Sequence, residues 1–133
     1  MGESIDALDV VMGMDGVVAV AVVDHTSGLV LARREKIPFD MELAAAVSTE
    51  VVKAQLRAIE HLGLGEKIED ILVTLTHQYH LVRVSDREGM AGLFHYVVLD
   101  RSRANLALAR RALAILDTTF SLQSAMATSG GLS

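Results

Sequence analysis

The stretch from Asp40 to Leu62, DMELAAAVSTEVVKAQLRAIEHL, is the longest uninterrupted helical pattern in the chain, and it carries more apolar surface than one packing face needs. Wound at 3.6 residues per turn, its apolar residues cover an arc of roughly 220°, where a helix facing one core needs ~100°. One half-face holds Leu43, Val47, Val51, Ala54 and Ala58; the other holds Met41, Ala44, Ala45, Val52, Leu56, Ile59 and Leu62. Ser48 and Gln55, one heptad apart, lie in the seam, and Glu42, Glu50, Lys53, Arg57 and Glu60 gather on the remaining side. Such a helix can bury one half-face in its own domain and offer the other to a partner, of which a second copy is the simplest. The alternative is a wide-faced helix covered wholly within its own domain. Spacing alone does not choose between the half-faces. The dimer-seam candidates are Leu43, Val47, Ser48, Val51 and Gln55, and the flanking stripe Glu50, Lys53 and Arg57 is the candidate surface for another partner. Charges three and four apart on a helix are also what an ordinary solvated face looks like.

Around this helix the chain reads in short segments. Ile5, Leu8, Val11 and Met12 repeat at helical spacing, with Glu3 and Ser4 as the start and Gly16 as the stop. Val17 to Val23, VVAVAVV, is apolar at every position, which predicts a central strand covered on both faces. Asp24-His25-Thr26-Ser27-Gly28 is a turn and Leu29 to Ala32 a short returning strand. Asp40 is a good N-cap for the long helix, which Gly63 and Gly65 close. Ile71 to Thr76 and His80 to Ser85 form a hairpin across His77-Gln78-Tyr79, and Ala91 to Leu99 is a second long apolar strand. Asp100 and Ser102 are candidate caps for a last helix that aligns Leu106, Ala109, Leu113, Leu116 and Phe120, with Arg101, Arg103, Arg110 and Arg111 around it. The short links predict an α+β fold, a five-stranded antiparallel sheet between helices in the order α-β-β-α-β-β-β-α, with the first and last helices on one face and the central helix on the other. Residues 1–120 form a single domain in this reading; 121–133, SLQSAMATSGGLS, without charge, reads as a flexible C-terminal tail.

Composition narrows the function. With 51% hydrophobic and 22% charged residues the chain is globular, and with 4% aromatics its core must be aliphatic. The absence of cysteine excludes disulfides, thiolate metal sites and a Cys nucleophile. A net charge of −5 argues against nucleic acid or anionic membrane as the main partner. No apolar run reaches the ~18 residues of a membrane span, and the acidic MGESIDALD lacks the pattern of a signal peptide and of a myristoylation site, so a cytoplasmic location is expected.

The histidines call for a metal test. His77 and His80 sit across a tight turn and His95 on a strand that could neighbour theirs, but helical HExxH spacing is absent and solvated or sheet-face histidines are the plainer reading. There is no GxxxxGK[ST], no GxGxxG and no Gly-x-Ser-x-Gly elbow, and Gly63-Leu64-Gly65 follows a helix where a phosphate loop should precede one. No nucleophile, cofactor or metal is expected.

Three stretches carry a resemblance: GVVAVAVVDHTSGLVLA (16–32), ILVTLTHQYHLVRV (71–84) and, most specifically, VVLDRSRANLALARRAL (97–113). In this order they resemble the Roadblock family of dynein light-chain-type domains, including bacterial members that regulate Ras-like GTPases. The second stretch departs from the family pattern, with His77-Gln78-Tyr79 where a turn glycine is usual. The resemblance implies a Roadblock/profilin-like sandwich, a homodimer with paired central helices and sheets joined edge to edge, and a non-catalytic platform or scaffold for a small GTPase. A different reading of the same sandwich is a small-molecule or metal-binding sensor or enzyme subunit with a pocket near His80 and His95.

Overall fold

The computed structural model describes residues 6–120; the expected tail at 121–133 and the expected helix start at Glu3 and Ser4 lie outside them. The order is α1 (Ala7–Met12), β1 (Val17–Asp24), β2 (Leu29–Glu35), α2 (Met41–His61), β3 (Asp70–Thr74), β4 (Gln78–Val84), β5 (Leu93–Asp100) and α3 (Leu106–Thr119). The five strands form one antiparallel sheet, β2-β1-β5-β4-β3, so the two continuous apolar stretches occupy its centre and β2 and β3 its edges.

Both faces of β1 and β5 are buried because helices cover both sides of the sheet. On one side Val20, Val22, Leu81 and Val97 pack with Leu8 and Val11 of α1 and with Ala109, Leu113 and Leu116 of α3. On the other, Ala19, Ala21, Phe94, Tyr96 and Val98 meet Met41, Ala45 and Val52 of α2. The small residues Ala19 and Ala21 let α2 approach closely, with Phe94 and Tyr96 filling the space beside them. The arrangement is the expected one, with α1 and α3 sharing a face and α2 alone on the other.

Local boundaries differ in places. Asp40 caps α2 as expected, its Oδ1 accepting from the Leu43 N–H at 3.1 Å. Asp6, not Glu3 or Ser4, caps α1 by accepting from the Leu8 N–H at 2.8 Å, and that helix ends at Gly13. Asn105, not Asp100 or Ser102, caps α3, accepting from Leu108 N–H at 3.1 Å. Asp100 instead turns back on Ser102, whose N–H and hydroxyl both donate to Oδ1. Gln78 and Tyr79 belong to β4, leaving a tighter turn closed by Leu75 N–H donating to Gln78 O at 2.8 Å.

Gly16 does not end α1 but sets the entry to β1. Its φ is +84°, and a Cβ there would lie 2.7 Å from the backbone nitrogen of Ala104, in the loop before α3. Gly16→Ala therefore combines a strained φ with a backbone clash. We expect a loss of about 2–4 kcal/mol in folding stability, read from the urea midpoint.

Candidate interaction surface

The structure resolves the two half-faces of α2. Met41, Ala45, Thr49 and Val52 are buried against the sheet, with Leu56 half-buried behind them. Thr49 was not among the sequence-derived core positions; its hydroxyl is buried and unpartnered beside the β1–β2 turn. Leu62, grouped by spacing with Met41, Ala45 and Val52, is exposed, because no residue of α2 beyond Val52 is fully buried and the C-terminal turns of α2 overhang the sheet.

The other half-face is open. Leu43, Val47 and Val51 are 60%, 57% and 40% exposed, spaced one turn apart, with Gln55 exposed on the following turn and Ser48 half-buried at the sheet margin. Leu43, Val47 and Val51, three of the five dimer-seam candidates, thus form a single exposed apolar stripe on the helix.

The stripe continues onto the sheet. Five strands at about 4.8 Å spacing make a sheet roughly 19 Å wide, whereas one packed helix covers about 10 Å. α2 lies over β1 and β2. The β3–β4 half of the same face has no helix above it among the described residues. Its side chains there include Ile71, Val73 and His80, with Val73 41% exposed and Ile71 and His80 half-buried. Leu75, 42% exposed, extends the Ile71–Val73 row past the strand end. Wall and floor are joined by Ser48 and Tyr96: the Tyr96 hydroxyl, under α2, faces the Ser48 side chain and lies 2.8 Å from His80 Nδ1. Burial pushes the Tyr96 phenol up to about 12, with the Ser48 contact opposing, so it stays a hydroxyl throughout the physiological range.

The charged candidates sit on the far flank. Glu50 and Arg57 are exposed, and Lys53 is half-buried near enough to His25 to help hold that imidazole below its ordinary value, an effect in which burial is the larger cause. Glu42, on the same flank, pairs with Arg33 of β2 at 2.5 Å. Three of the four arginines around α3 are engaged within the chain: Arg101 donates to Leu75 O, Arg103 pairs with Asp15 and Arg110 with Asp70.

A pocket shared by His80 and His95 does not exist. The two lie on neighbouring strands but on opposite faces of the sheet, His80 beside Tyr96 and His95 beside Asp117 of α3. Strand alternation separates them, since His95 pairs with Arg83 and His80 with Val98. His77 is in the β3–β4 turn, at a surface depression lined by Thr76, Asp100, Arg101 and Ser102 whose polar groups largely bond to one another and to nearby backbone. Among the described residues, no three His, Asp or Glu side chains come together as metal ligands would. No described helix is long and apolar enough to cross a membrane.

The polar cluster that sequence reasoning missed is on the α3 side. His95, fully buried, holds Asp117 Oδ1 at 3.0 Å through Nε2; Arg83 reaches Oδ2 at 3.7 Å and Ser85 lies against the same carboxylate. Arg87 donates to the carbonyls of Thr118 and Phe120, which the end of α3 leaves without helical partners. Nothing in the sequence signalled it, because Arg83 and Arg87 lie in β4 and the turn after it, distant along the chain from the end of α3 that they meet.

No protein-family model and no curated protein matches the sequence. The fold has counterparts among solved structures. A Roadblock/LC7 domain from Streptomyces avermitilis matches over 86% of this chain and 92% of its own, with a TM-score of 0.73 at 18% identity. A protein described as MglB with tetrameric arrangement matches over 84% and 83%, with a TM-score of 0.67 at 17% identity. MglB of Myxococcus xanthus matches over 77% and 78%, with a TM-score of 0.66 at 14% identity.

Proposed function

We propose that this chain, which has the Roadblock/LC7 fold, acts as a homodimeric, non-catalytic regulator or scaffold that binds a cytoplasmic Ras-like small GTPase and biases its nucleotide state. The observation that carries the reading is the half-covered sheet face running into the Leu43–Val47–Val51 stripe. A second copy related by a two-fold axis satisfies both at once: each α2 lies against the other and over the other's β3–β4 half, and the two β3 edges come together. Edge pairing would also cover the unpaired backbone groups of β3, which otherwise invite promiscuous association. Glu50, Lys53 and Arg57 lie outside that seam, on the flank each copy turns outward.

The GTPase assignment rests on the resemblance of 16–32, 71–84 and 97–113 to the Roadblock family, which the fold supports. A platform of this kind works by binding one nucleotide state more tightly, shifting the partner's switch segments without contributing a catalytic side chain. The test is affinity capture from the source cell's lysate in the presence of GDP or of a non-hydrolysable GTP analogue. A small GTPase retained in one state and not the other is the expected result; no GTPase in either state overturns the proposal. With the partner in hand, Lys53→Glu combined with Arg57→Glu should weaken its binding about tenfold or more while leaving the dimer intact, since one half-buried and one exposed cation are reversed at the contact. Unchanged binding would reduce the stripe to a solvated face.

A further inference from the structure

We propose that protonation of His80 loosens the pairing of two copies, so that the protein passes from dimer toward monomer between neutral and mildly acidic pH. The proposal rests on the dimer described above and concerns how that seam is regulated. His80 lies on the part of the sheet that the second copy's helix would cover, in the row Val73–His80–Val98 across β3, β4 and β5. Its ring is packed edge-on against Phe39 and Tyr96.

Both ring nitrogens have neutral partners. Nδ1 is 2.8 Å from the Tyr96 hydroxyl and Nε2 is 2.9 Å from Gln78 Oε1. With the amide so oriented, Tyr96 donates to Nδ1 and Nε2–H donates to Gln78, a complete set of bonds for the uncharged imidazole. A proton added at Nδ1 turns that nitrogen into a donor. Tyr96 must then accept and swing its own hydrogen toward Ser48, at the margin of the helix seam.

Among the described residues, no carboxylate compensates the new charge. Tyr96 is the titratable group in contact with the ring. Asp70 of β3 faces Arg110, Arg83 and His95 face Asp117 on the other side of the sheet, and Asp40 is committed to the cap of α2. On α2, Glu42 is paired with Arg33 of β2, Lys53 faces His25, and Glu50, Arg57 and Glu60 are exposed. Burial alone already lowers the His80 pKa in the single chain. The second copy brings an apolar stripe, Leu43, Val47 and Val51, over the exposed side of the ring and removes its remaining water. The neutral form is therefore favoured more strongly in the dimer than in the monomer, and by linkage each proton that must be shed opposes pairing.

The sign follows. Pairing is at full strength above the monomer's His80 pKa and is lost as the pH falls through it toward the lower value in the dimer. Two equivalent histidines per dimer should raise the dissociation constant by about tenfold or more between pH 7.5 and 5.5.

The experiment is sedimentation equilibrium of the full chain at these two pH values, with circular dichroism confirming that it stays folded, for the wild type and His80→Gln. A wild-type dimer that weakens in acid, with a His80→Gln dimer that does not, is the expected result. Equal weakening in both, or a wild-type dimer that is unchanged or strengthened, overturns the role of His80. A wild type that is monomeric at pH 7.5 defeats the dimer reading itself. Should His80→Gln fail to fold, NMR titration of His80 in the wild-type dimer and in monomeric Val47→Asp decides: a lower midpoint in the dimer is expected, and equal midpoints overturn the proposal.

Discussion

Val47→Asp should run as a folded monomer of 14.3 kDa in light scattering at concentrations where the wild type is a dimer. The isolated chain tolerates the change because Val47 is 57% exposed there and Asp and Val have similar helix propensities. Folding stability should move by only about 0.5 kcal/mol. The proposed dimer should not tolerate it. Two symmetry-related carboxylates would enter a seam made of Leu43, Val47 and Val51 from both copies, each losing water without gaining a partner. At about 2 kcal/mol or more per carboxylate, the dissociation constant rises by roughly a thousandfold. Val51→Arg tests the same surface with the opposite charge. A dimer that survives both substitutions unchanged would place the seam elsewhere.

The largest effect on folding should come from Asp117→Ala. This carboxylate is almost fully buried, and its loss strips His95 Nε2 of its partner in the interior and leaves Arg83 and Ser85 facing a void. Breaking a buried pair from one side costs about 3–5 kcal/mol, a large part of the stability of a domain this size. The end of α3 should loosen first, because the Arg87 bonds to Thr118 and Phe120 close the same cluster. Hydrogen exchange in α3 and the urea midpoint would report it; a midpoint shift of under 1 kcal/mol would show that the cluster contributes little.

The same pair fixes a pH dependence. Burial lowers the His95 pKa and outweighs the attraction of Asp117, and its Nδ1 has no acceptor among the described residues, so a second ring proton there would be buried unpaired. For Asp117, burial pushes upward but Ser85, His95 and Arg83 together hold the carboxyl below its ordinary value. Both native pKa values are thus depressed. The contribution of His95 is present above about 6.5 and is lost as the pH falls from there to its native value; that of Asp117 is lost below about 3.9. Asp117→Asn removes the attraction that partly restores the His95 pKa. Its stability should therefore fall more steeply between pH 6.5 and 5 than that of the wild type, and equal slopes would show that His95 does not titrate through this contact.

What the sequence determined by itself was whatever depends on neighbours along the chain. The 3.6-residue period of 41–62 marked two apolar half-faces. The unbroken VVAVAVV and the apolar run before Asp100 marked strands buried on both sides, and Asp24 with Gly28 marked a turn that forms as read. Capping was only partly legible. Asp40 was recognised, while Asp6 and Asn105 were not, because several Ser, Asp and Asn residues compete locally and the winner depends on where the preceding loop is anchored.

Only the tertiary structure decided which half-face of α2 turns inward, since both are apolar and the choice depends on Ala19 and Ala21 beneath it and on the sheet being wider than one helix. It also decided the fate of the histidines. A one-residue difference in strand alternation puts His80 on the uncovered β3–β4 half of one face and His95 under α3, and the Asp117 that meets His95 is 22 residues away. Periodicity carries the orientation of each element relative to itself. Which residues then come within bonding distance is set by strand order and helix placement, which arise from contacts between distant parts of the chain.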